Sequence, residues 1–206
     1  MKILVACEFS GIVREAFRLR GHDAWSCDLL PTEIPGQHIQ DDVLNHPDEA
    51  WDMMIAFPPC TYLTNAGVRH LYNHVLSSNG KQAAVHGEAR WGEMKKAAEF
   101  FRRLLNADIP KICVENPIPH RYAVAEIGRK YDQLIQPFWF GDPYQKATCM
   151  WLKGLVKLKP TNVVEGREQK CHKEPPSPNR WKNRSRTYKG IAEAMATQWG
   201  TKEGWL

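Results

Sequence analysis

Apolar residues gather in short, almost unbroken runs at Lys2–Cys7, at Ala24–Leu30 (closed by Pro31) and at Trp51–Phe57. Runs of this length predict strands buried on both faces. Between the first two, Gly11–Gly21 sets Ile12, Val13, Ala16, Phe17 and Leu19 at helical spacing and ends on glycine, which predicts a helix. His38–Val43 reads as a short third strand, which makes Trp51–Phe57 the fourth. Further on, Glu88–Asn106 is an amphipathic helix and Pro110–Pro117 a buried strand; Gln133–Gly141 and Ala147–Gly154 are later strands, and Gly190–Trp199 is a closing helix. Alternating strands and helices predict an α/β fold, a single mostly parallel sheet flanked by helices. One stretch resists the pattern. From Pro58 to about Gly87 there is little periodicity, and a loop of that length inside a compact domain is either functional or hides elements.

Composition changes this picture little. With 206 residues, 43% hydrophobic and 25% charged, the chain suits one well-buried core, and neither an internal repeat nor a linker divides it. No long apolar run or signal-like start is present, so a cytoplasmic protein with no membrane span is expected. The six cysteines lack CxxC spacing. Cys7, Cys27, Cys113 and Cys149 fall in strand-like runs as small hydrophobes, and only Cys171-His172 approaches ligand spacing, so no metal is expected.

Charge is more informative. Eleven Lys/Arg against three acids lie between Lys153 and Lys189, a net +8 within a chain of +5, so the remainder carries −3. A basic segment with Trp181, Tyr188 and several prolines suits a phosphate backbone or a nucleotide.

Ligands of open α/β sheets bind beyond the carboxyl ends of the strands, so the residues there carry the candidate chemistry. The first strand leads into Glu8-Phe9-Ser10-Gly11, whose glycine permits close backbone approach ahead of a helix N-terminus. The second ends at Asp28, a position suited to the two hydroxyls of a ribose, and Asp41-Asp42 lie near the third, where an acid could accept from an adenine amine. The first turn lacks the later glycines of a GxGxxG fingerprint, which favours S-adenosylmethionine over a dinucleotide. The fourth strand stops on Pro58-Pro59-Cys60, and the next ends in Glu115-Asn116-Pro117. A thiol and a carboxyl on proline-stiffened strand ends suit attack on an electron-poor ring, with the acid hydrogen-bonding or protonating a ring nitrogen.

As an ordered set, these motifs resemble those of the DNA (cytosine-5)-methyltransferases. The resemblance implies a Rossmann-like S-adenosylmethionine-dependent methyltransferase fold. It implies a cofactor site of Phe9, Ser10, Gly11 and Ile12 (the methionine-binding turn), Asp28 and Leu29 (ribose), Asp42 and Val43 (adenine), with Pro58 and Tyr188. Cys60 would be the nucleophile that attacks C6 of a flipped-out cytosine, and Glu115 would act at N3, with Asn116 beside it. The long stretch after Cys60 corresponds to a mobile catalytic loop, with Thr64 the small hydroxyl residue that follows the nucleophile and Arg90 an anchor for the loop or a phosphate. Lys146 and Thr148 stand where the family has two arginines, and Ala192-Glu193 where it has Gly-Asn.

The expected domain is one catalytic unit over 1–206, with a short basic Pro-rich insertion at about 155–187 where relatives carry a recognition domain. Within it, Arg180, Lys182, Arg184 and Arg186 are candidate DNA contacts. The partner implied is cytosine-containing DNA read with little or no sequence specificity, by a monomer in a bacterial or phage-infected cell. Three alternatives stay open: the same C5 chemistry on free dCMP or dCTP, an amino-group methyltransferase, and a silent binding module. Phe57 and Cys60 fill neither role of a Pro-Pro-aromatic motif, which disfavours the second of these.

Overall fold

In the computed structural model, residues 1–46, 49–76 and 82–205 are described. The predicted strands form a seven-stranded sheet in the order β3-β2-β1-β4-β7-β9-β8. These are β1 Lys2–Ala6, β2 Asp23–Cys27, β3 His38–Ile39, β4 Met53–Ala56, β7 Lys111–Pro117, β8 Gln133–Ile135 and β9 Thr148–Lys153. The first five, β1 to β4 and β7, run parallel; β9 runs antiparallel to both β7 and β8. With helices on both faces, this is the α/β architecture with a single mostly parallel sheet expected from the sequence.

Strand alternation explains why the apolar runs are unbroken. Ile3, Val5, Met53, Ile55, Cys113 and Met150 point to one face, where α1 (Ile12–Arg18) and α6 (Lys189–Trp199) supply Val13, Phe17, Met195 and Trp199. Leu4, Ala6, Met54, Ala56, Ile112, Val114 and Trp151 point to the other, against Met94, Phe101 and Leu104 of α2 (Glu88–Leu105). Every one of these side chains is buried, and full burial of a large apolar side chain contributes ~1.5–3 kcal/mol.

Several boundaries differ from the pattern. The third strand is only His38–Ile39; Asp42 does not extend it, because its carboxylate accepts from Leu44 N at 3.0 Å and caps a 3-10 turn at Val43–Asn45. Gln133–Gly141 stops being a strand at Ile135, since Pro137 cannot donate to a ladder and starts a 3-10 turn over Pro137–Trp139. The stretch expected to be a loop holds a 3-10 helix at Asn65–Leu71 and an antiparallel hairpin of β5 (Tyr72–Leu76) and β6 (Gln82–His86); its remainder at 77–81 lies outside the described residues. Another helix, α3 (Arg121–Ile127), follows β7; it is capped by His120 and closed by Gly128 at φ 87°. The basic segment carries two short helices, α4 (Lys170–Lys173) and α5 (Arg180–Ser185). No described helix is long and apolar enough to cross a membrane.

Candidate active site

Strand order reverses between β1 and β4, and the crevice of an open α/β sheet lies at such a switch point, beyond the carboxyl ends of the strands. The turn after β1 is the most constrained part of it. Cys7 leaves the strand at φ 56°, and Gly11 enters α1 at φ 75°. A Cβ on Gly11 would lie 2.8 Å from the Arg14 guanidinium and 3.1 Å from Ile34 Cβ, so only glycine fits. The buried Glu8 carboxylate accepts from Val13 N at 2.7 Å and Arg14 N at 3.2 Å, satisfying the first amides of α1, and from Ser10 Oγ at 3.1 Å. Burial nevertheless holds the Glu8 pKa above its ordinary value. Arg14, fully buried, donates to Ser26 Oγ, Thr32 Oγ1 and the carbonyls of Ile34 and Gln37, which fastens the β2–β3 connection to α1. The sequence reading gave no role to Glu8 or Arg14; a charged pair six residues apart across a glycine turn was the available signal.

The acids after β2 and β3 converge on that turn. Asp28 accepts from Leu30 N at 2.9 Å and has no ion pair among the described residues, and burial raises its pKa. The Cys7 thiol lies within the field of both Asp28 and Asp42, which, after burial, push its pKa well up. Leu29 stands 71% exposed beside Asp28, while Val43 is buried. Of the four cysteines expected to be buried, Cys27, Cys113 and Cys149 are so, whereas Cys7 keeps some exposure at the turn.

Cys60 and Glu115 stand at the ends of the adjacent strands β4 and β7. Burial raises the Cys60 thiol pKa; the Glu115 charge adds to the rise, and Lys146 and then Arg184 oppose it. Glu115 keeps partial exposure in β7, and desolvation raises its carboxyl pKa, again against Lys146. Thiol, carboxyl and ammonium therefore act on one another. Because β9 is antiparallel, its first residue, and not its last, reaches this edge of the sheet: Thr148 pairs with Pro117. Thr148 and Lys146 line a small pocket with Phe57, Glu115, Ser185, Thr187, Tyr188, Ile191 and Met195. The Lys146 ammonium donates to the Arg184 carbonyl at 3.0 Å, and burial and neighbouring acids push the Tyr188 hydroxyl up to about 12. Asn116 faces away from Glu115, fully buried, with Nδ2 on the Pro117 carbonyl at 2.6 Å and Oδ1 without a hydrogen bond.

The basic segment folds over the crevice. Arg186 forms a bidentate pair with Glu33 at 2.7 and 2.6 Å, and Trp181 packs on Phe9 with ring centroids 6.0 Å apart. Lys182 lies 5.8 Å from the Phe9 ring and 5.6 Å from Trp181.

With this geometry in view, comparison with known proteins adds a structural likeness. No protein-family model and no curated protein matches the chain. A solved Escherichia coli structure, proposed to be a DNA modification methyltransferase encoded within a prophage, is similar to it. Identity is 13%, the TM-score 0.48 and coverage 85% of this chain. The chain spans 55% of that protein.

Of the residues singled out in the sequence, the fold gathers Glu115, Lys146, Thr148 and Tyr188 about one pocket, sets Cys60 within the field of Glu115, Lys146 and Arg184, and brings Phe9 to Ile12, Asp28 and Asp42 about the neighbouring turn. It does not bring all the candidate DNA contacts to a free surface. Arg186 is held by Glu33, and Arg180 donates to the Glu174 carbonyl at 2.7 Å. Thr64 makes a backbone bridge to Pro119, and Arg90 reaches the Thr61 carbonyl at 3.5 Å with its guanidinium over the Tyr62 ring.

Proposed function

We propose that this protein transfers a methyl group from S-adenosylmethionine to C5 of cytosine in DNA, as a DNA (cytosine-5)-methyltransferase acting through Cys60. The reading is carried by the shared neighbourhood of Cys60 and Glu115, two reactive groups on adjacent strand ends under the field of one cation, Lys146. The residues of the crevice fit the cofactor. Asp28, a carboxylate without an ion pair among the described residues, would take the ribose hydroxyls, with Leu29 beside it. Asp42 would accept the adenine amine and Val43 would meet the ring. The Phe9-Ser10-Gly11-Ile12 turn would hold the methionine end, with Ser10 contributing backbone because its hydroxyl is engaged by Glu8. Pro58 and Tyr188 would border the methyl. When bound, S-adenosylmethionine supplies an electrophilic methyl group.

The residues of the chain prepare the acceptor. The target base must leave its stack, because C5 and C6 are covered inside a duplex. Cys60 gives its proton to solvent water and its sulfur bonds to C6, while the carboxyl of Glu115, whose pKa desolvation raises, gives its proton to N3. The electron pair displaced from the C5–C6 double bond then makes C5 nucleophilic. Once C5 is methylated, transfer of its proton to solvent water restores the double bond and expels the Cys60 thiolate, and the N3 proton returns to Glu115. A 5-fluorocytosine duplex with labelled S-adenosylmethionine tests this, because fluorine cannot leave as a proton would. Wild type is expected to form a covalent adduct and Cys60→Ser none; equal behaviour of the two would remove the assignment.

One observation favours a second reading, the same chemistry on a free cytosine nucleotide. The segment that would face a duplex is drawn over the pocket by the Arg186–Glu33 pair, and Ser185, Thr187 and Tyr188 line the pocket. Trapping by 5-fluoro-dCMP without trapping by the duplex would favour it.

A further inference from the structure

The segment after Cys60 is joined to the segment after Glu115 by bonds that the proposed chemistry does not use. Leu63 N and Thr64 N both return to the Cys60 carbonyl at 3.1 Å, so the chain turns sharply after the thiol. It then pairs with the run beyond β7: Asn65 N donates to the Ile118 carbonyl at 2.8 Å, and His120 N to the Leu63 carbonyl at 3.1 Å. Thr64 and Pro119 form an antiparallel bridge between these two bonds. A side chain completes the join. The His120 ring is buried; its Nδ1 accepts from Ala123 N at 2.9 Å, capping α3, and its Nε2 lies 2.9 Å from the Tyr62 carbonyl. Because Nδ1 accepts, the proton sits on Nε2 and is donated to Tyr62, two residues past the thiol.

We propose that His120 is a positioning residue for the thiol: it fixes the Cys60 turn against the strand end that carries Glu115. The inference rests on the Cys60–Glu115 reading for its catalytic consequence, though not for the tie itself. One imidazole holds two chain segments 58 residues apart in sequence, so the sulfur and the carboxyl keep one separation when the base enters.

Two substitutions divide its roles. His120→Asn keeps an acceptor for Ala123 N and is a favoured helix cap, but it is too short to reach Tyr62. His120→Gln carries an amide N–H at about the reach of Nε2. Adduct formation with the 5-fluorocytosine duplex is expected to fall about tenfold in His120→Asn, at an almost unchanged unfolding midpoint, and to recover largely in His120→Gln. Hydrogen exchange at the Asn65 amide should accelerate in the first variant and return towards wild type in the second. Equal exchange in all three proteins would overturn the tie. Accelerated exchange with unchanged trapping in His120→Asn would overturn the positioning role. If wild type itself forms no adduct while exchange follows the expected order, the cytosine reading falls and the tie stands.

Discussion

A thiol whose pKa is raised by burial is a weak nucleophile until a neighbouring cation favours its ionised form, and at Cys60 the neighbours act in opposite directions. Lys146 and Arg184 lower the pKa while Glu115 raises it. Replacing Lys146 by Met should therefore shift the pH profile of Cys60 alkylation to higher pH and slow the reaction several-fold at fixed pH, read by peptide mapping after iodoacetamide. Glu115→Gln should do the reverse to alkylation, which speeds up once the negative neighbour is gone. The same variant should lose adduct formation by about a hundredfold or more for want of the N3 proton. A variant that slowed both reactions would mean that Glu115 is structural. Cys60 and Glu115 were legible as candidates because a thiol and an acid each stood at a proline-stiffened strand end. The roles of Glu8 and His120 were not, since a buried cap shows in sequence only as one more polar residue near a turn.

Elements were readable wherever burial on both faces left an unbroken apolar run, as at Ile3–Ala6 and Met53–Ala56. They were unreadable where local cues conflict. Arg121–Ile127 is too short to show helical periodicity, though Ala123, Ile127 and Gly128 marked its buried side and its end. The hairpin after Leu71 is a separate two-stranded sheet, and its run of His, Asn and Ala resembles neither a buried strand nor a helix. Two predictions belong at this scale. Gly190 opens α6 against the β8–β9 connection, where a Cβ would lie 1.8 Å from the Phe140 carbonyl oxygen. Gly190→Ala should destabilise the fold by ~1–3 kcal/mol, seen as a lower urea midpoint. The second follows from the His120 cap. Burial lowers the imidazole pKa below its ordinary 6.5, helped by Arg90 on α2 and opposed by the bond to the Tyr62 carbonyl; the ring of Tyr122, itself under Arg121, is 6.0 Å away. The unfolded chain then binds the proton more readily than the folded one. Stability from this group is complete above pH 6.5 and is lost as pH falls towards the depressed value, so His120→Asn should flatten the acid limb of a denaturation profile.

For the molecule as a whole, the sheet order follows from the alternation of elements, while the position of the basic segment could not be read from composition. Its charge pointed to a solvated phosphate-binding arm. The fold instead engages part of that charge internally, through Arg186 on Glu33 and Lys182 near Phe9 and Trp181. Glu33→Lys should therefore release the segment, with faster proteolysis between Lys170 and Arg186 and an unchanged core by circular dichroism; unchanged proteolysis would show that the Trp181–Phe9 contact alone suffices. The direction of β9 has a consequence of its own. A strand that starts at the crevice ends at the opposite rim, so the chain must climb back before α6 can begin. It does so beside the β8–β9 connection, where Thr161 N and Val164 N bond to Trp139 and Phe138, and Gln145 N to Glu168. Among the described residues this ascent adds no strand to the sheet, is held to β8 by the Gln133 side chain at Leu158, and ends above the pocket. Chain inserted near its top would extend outward over the pocket and leave the strand order untouched, so the antiparallel strand makes this position a natural attachment point for further chain.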